Sequence, residues 1–120
     1  MEQVSEVSEI SQQLAGWKAQ VDRTRADLKG LAARLEPEAG RLHRREAMAE
    51  VEHFQNQFIC QKEVADELFH DLKQAARRFP DGKAAETDGR GDSLRDRVET
   101  FLRLFEALKT DFNHFMDKVS

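Results

Sequence analysis

The chain has 120 residues, 35% of them charged and 39% apolar, and its 19 basic and 23 acidic side chains leave a net charge of −4. Two prolines and six glycines are too few for the turns of a sandwich or barrel, and interleaved opposite charges mark solvated helix faces, not a nucleic-acid footprint. One cysteine excludes an internal disulfide framework. No run approaches the ~18 apolar residues of a membrane span, and the opening MEQVSEVSEI lacks the basic and apolar regions of a signal peptide. The expectation is one soluble, cytoplasmic domain over residues 1–120.

The first predicted helix spans about 4–35. Val7, Ile10, Leu14, Trp17, Val21, Leu28, Leu31 and Leu35 recur in steps of three and four, with Thr24 as the one polar interruption. Such a 3.5-residue repeat keeps one seam turned toward a partner helix. Glu36-Pro37 is read as its end, because the residue before a proline is driven out of the α region.

The second helix is predicted over about 38–79. Its seam is Val51, Phe54, Phe58, Ala65, Leu68, Leu72, Ala75 and Phe79, with Gln61 as its polar member. Phe79-Pro80-Asp81-Gly82 stops it, and 80–92 reads as an exposed loop. The Arg90-Gly91-Asp92 tripeptide there reads as linker, not as an adhesion motif. The third helix is predicted over 93–119, opening on a capping pair, Ser93 and Asp96. Leu94, Val98, Phe101, Phe105, Leu108, Phe112, Phe115 and Val119 form an unbroken seam, which Leu102, Leu104 and Met116 widen.

These stripes predict an all-α, antiparallel three-helix coiled-coil bundle. A turn at Pro37 aligns Trp17, Phe58 and Phe115 in one layer and leaves residues 22–52 beyond the third helix, as a projecting two-helix tip. Between residues 23 and 48 lie seven bases, among them Arg34, Arg41, Arg44 and Arg45, against four acids. The tip and the surplus apolar stripe (Arg34, Arg41, Arg44, Arg45, Leu102, Leu104 and Met116) are the candidate partner contacts.

Chemistry is scarcer. Glu50 with His53 and Glu67 with His70 form two Glu-x-x-His pairs, the spacing used in di-iron bundles. Both lie on one helix, about 25 Å apart along its axis, so they cannot share a metal. No nucleophile has a partner at catalytic spacing and no glycine-rich loop opens a helix. Cys60, one residue off the seam, is expected to be half-buried. The reading is a non-catalytic interaction or scaffold module with no cofactor, no small-molecule substrate and a protein partner or second copy. The alternatives are a metal-binding bundle using the Glu-x-x-His pairs and a weak nucleic-acid binder working through the basic tip.

The stretch from His53 to Glu63 (HFQNQFICQKE), with Asp66-Glu67-Leu68, His70-Asp71 and the third-helix run from Arg95 to Phe101 (RDRVETF), resembles an uncharacterised family of small helical coiled-coil proteins from Bacteroidetes. The resemblance implies a bacterial cytoplasmic protein and carries no activity or site. The predicted architecture also resembles that of spectrin repeats, a likeness of shape alone.

Overall fold

A computed structural model describes the backbone of residues 2–78 and 90–119, and the side chains of 11–77 and 93–119. Three helices fill it: α1 (Glu2–Arg41), α2 (Arg45–Arg78) and α3 (Arg90–Val119). They pack as an up-down-up bundle measuring 63 × 19 × 18 Å. A 40-residue helix is about 60 Å long, so α1 alone accounts for the length of the molecule.

The seams are where the repeat puts them. Leu14, Val21, Leu28, Leu31 and Leu35 of α1 are buried against Val51, Phe54, Phe58, Ala65, Leu68, Leu72 and Ala75 of α2. All seven seam residues of α3 from Leu94 to Phe115 are buried with them. Thr24 is buried too, and its hydroxyl donates to the Gln20 carbonyl at 2.9 Å, which removes the cost of a polar group in the seam. Gln61 is half-buried, and its Oε1 has no hydrogen-bond partner. The seam side chains of Val7, Ile10 and Phe79, and the 80–89 part of the predicted loop, lie outside the described residues.

The helix boundaries correct the predicted turn. Pro37 lies inside α1, which runs one further turn to Arg41, and the chain reverses over 42–44. A proline in a helix interior removes one hydrogen bond and costs about 3 kcal/mol. Continuing the helix buries Leu35 and packs Ala39 and Leu42 against the core, and this outweighs the loss. At the other end α3 begins at Arg90, so Ser93 is inside the helix and not its cap.

Moving the turn changes the register. Phe54 and Phe112 meet edge to face at 5.5 Å and Phe58 and Phe112 at 5.2 Å, while Phe54 and Phe115 lie 5.3 Å apart. On α1, Arg25 lies over the Phe69 ring at 4.7 Å, and Arg95 of α3 over Trp17 at 5.8 Å. Trp17 therefore belongs at the α3 N-terminal end, not beside Phe58 and Phe115. The α1–α2 pairing differs from expectation by two heptads and the α2–α3 pairing by one. The resulting layers are Leu35–Phe54–Phe112, Leu31–Phe58–Leu108, Leu28–Gln61–Phe105, Thr24–Ala65–Phe101 and Val21–Leu68–Val98.

No two-helix tip projects. Arg41 Nη2 donates to the Val119 carbonyl at 2.9 Å, and Lys118 Nζ pairs with Glu50 at 3.2 Å. The α3 C-terminus thus reaches the α1–α2 turn and covers Leu31 and Leu35, both buried.

Candidate functional site

Three antiparallel or parallel seams leave three outer grooves, and the residues flanking each seam decide its chemistry. Along α1–α2 the flank holds Arg25, whose Nε lies 2.9 Å from Asp66 and whose Nη1 lies 3.4 Å from Asp22. Further along, small Ala32 leaves an open groove of about 960 Å³ over Leu28, Leu35 and Phe58. Ile59, 57% exposed, stands on its edge beside Lys62. Along α1–α3 the flank is bridged: Arg34 reaches Asn113 at 3.3 Å and lies over Phe112 at 5.3 Å, and Arg95 reaches Gln13 at 3.3 Å.

Along α2–α3 the flank forms a ladder. Asp71 pairs with Arg97 at 2.8 Å and Glu50 with Lys118 at 3.2 Å, and in both pairs the position numbers sum to 168. Val64 and Leu104 satisfy the same sum and line one groove together with Gln61, Glu67, Thr100 and Phe101. They are 46% and 48% exposed. Gln57 and Asp111 complete the ladder by the same spacing. An apolar rung thus stands between two ion-paired ones, beside the unpartnered Gln61 carbonyl.

The predicted contact residues divide between intrachain work and open surface. Arg34 and Arg41 are engaged within the chain, the latter with Glu38 and the Val119 carbonyl. Arg44, in the turn, and Arg45, the first residue of α2, stand exposed. Leu102 and Met116 are half-buried against the core on the α1 side of α3. Leu104 alone of the three α3 residues faces the α2 groove in the open. Val64 was missed by reading the stripe of α2 only through its seam.

A signal for it was present in the charges. In the predicted register the same row brings Asp71 to Leu104, Val64 to Asp111 and Arg78 to Arg97, a mismatched set. Only the observed register matches opposite charges and joins the two aliphatics.

The Glu-x-x-His pairs are spread over the surface. Glu50 is taken by Lys118, His53 lies edge-on to its neighbour Phe54 at 5.2 Å, Glu67 lines the α2–α3 groove and His70 is exposed. Among the described residues no three His, Cys, Asp or Glu side chains stand together as a metal site. Cys60 is exposed, not half-buried, because its place on α2 turns it outward with Ile59. Among the described residues no helix is long and apolar enough to cross a membrane. No family model, curated protein or solved structure matches the chain.

Proposed function

We propose that the protein is a non-catalytic docking module that binds another protein through the α2–α3 face of a rigid three-helix bundle. The observation that carries this reading is the Val64–Leu104 rung. Two large aliphatics, each about half exposed, sit side by side on a surface that is otherwise densely charged. Single exposed apolar residues are common, but a contiguous pair framed by ordered ion pairs is the anatomy of an interface centre and its rim. The bundle supports the role mechanically, since α2 and α3 are held together beneath the face by Phe54, Phe58, Phe112 and Phe115.

The basic end of the molecule supports nucleic-acid binding less well, because Arg34 and Arg41 of the proposed contact set are already engaged within the chain. A reducing, cytoplasmic and bacterial setting fits the lone exposed thiol and the resemblance of the 53–71 stretch.

Leu104→Glu tests the reading. A half-exposed leucine flanking the seam tolerates the change at a cost of about 1 kcal/mol, so helicity by circular dichroism should persist. Affinity capture from the native cell should then lose the protein that the wild-type chain retains. Identical capture by the two chains would count against the α2–α3 face.

A further inference from the structure

The ladder on the α2–α3 face carries more information than its apolar centre, because it specifies an occupant. Building on the docking reading above, we infer that the face binds a second copy of this chain, with a two-fold axis parallel to the bundle and centred over the α2–α3 seam. Such an axis sets α2 of one copy beside α3 of the other at the same height and in the opposite chain direction. Every rung then meets its own complement.

At the upper level Asp71 and Arg97 of one copy face Arg97 and Asp71 of the second. At the lower level Glu50 and Lys118 face Lys118 and Glu50. Each ion pair, 2.8 Å and 3.2 Å within the chain, becomes a four-residue layer of alternating sign. Between them Val64 and Leu104 face Leu104 and Val64, closing an apolar quartet over two half-exposed pairs. Gln57 faces Asp111, so no acid opposes an acid on this row. In the outer row the same spacing puts Glu67 against Thr100 and Cys60 against Ala107, again with no like charges in opposition.

Opposite charges facing at both ends fix the register, and the apolar quartet supplies the drive. The other open groove has no such property. Under the same axis, its flank, set by the Arg25–Asp66 pair, would bring Lys29 against Lys62 of the second copy, like charge against like.

The size agrees. From Glu50 to Asp71 the ladder is about 32 Å long, on a bundle 19 Å wide. That face covers about 1,200 Å² counted over both copies, the lower bound for a stable interface. An interface at that lower bound belongs with the weak, reversible ones, with a Kd between about 1 μM and 1 mM.

Sedimentation equilibrium of the full chain tests this. The wild type should dimerise in that range. Val64→Glu, and separately Asp71→Arg, should each weaken the dimer roughly tenfold or more with helicity retained. Asp71→Arg combined with Arg97→Asp reverses the rung without removing it and should restore dimerisation, which a merely unfolded variant would not do.

A wild type that stays monomeric to roughly 1 mM overturns the inference. So does a dimer that Val64→Glu breaks but Asp71→Arg does not, because the charged rungs are what select a second copy. A monomer whose Leu104→Glu variant still loses a captured protein means that the occupant is a different protein. The docking reading then stands while this inference falls.

Discussion

Replacing Phe112 with alanine is expected to lower stability by about 4 kcal/mol and the thermal midpoint by about 15 °C. Phe112 is fully buried and its ring meets both Phe54 and Phe58 edge to face, at 5.5 and 5.2 Å. The loss therefore combines transfer, a cavity and two ring contacts worth about 1 kcal/mol each beyond their area. Domains of this size have only about 5–15 kcal/mol in total, so the variant should be close to unfolding at body temperature. Phe69 is the control. It is only half-buried, beneath Arg25, and Phe69→Ala should cost about half as much or less. Urea unfolding followed by circular dichroism compares the two. Equal losses would mean that the four-phenylalanine cluster is not the centre of the core.

Replacing Pro37 with alanine should do the opposite, raising stability by about 2 kcal/mol. The figure is the ~3 kcal/mol that proline costs inside a helix, reduced by up to ~1 kcal/mol because alanine frees the unfolded chain. The sign is what discriminates. If Pro37 stood in the turn between α1 and α2, alanine would remove a favourable rigid turn residue and stability would fall. The same unfolding experiment reads the difference.

Pro37 also explains how much of the fold was legible in the sequence. The seams were readable residue by residue, from Leu14 to Leu35, Val51 to Ala75 and Leu94 to Phe115, because burial follows the 3.5-residue repeat. The register was not, because that repeat looks the same after a slide of one or two whole heptads. Phe58 can face Phe115 or Phe112 with equal local sense. The choice fell to the turn, and a general preference for ending helices before proline lost to the particular gain from Leu35, Ala39 and Leu42. The projecting tip followed from that one boundary.

The surface was legible in part. Leu104 was visible as surplus to the α3 seam, but Val64 became its neighbour only once the register was known. Asp71 with Arg97 and Glu50 with Lys118 held the missing information, since opposite charges at matching heights separate one heptad register from the next. The partners of Arg34 and Arg41 within the chain, Asn113 and the Val119 carbonyl, were not legible because they belong to a helix end expected elsewhere.

Everything proposed for the α2–α3 face rests on this register, and one distance tests it directly. Spin labels at positions 34 and 113, in a Cys60→Ser background, report how α3 lies along α1. Arg34 and Asn113 touch at 3.3 Å in this structure, so dipolar spectroscopy should give a single short distance, set by the labels' own length. A turn at Pro37 would slide α3 by three heptads, leaving the labelled positions about 29 Å apart along the axis. A short distance is the expected result, and the long one would contradict the account.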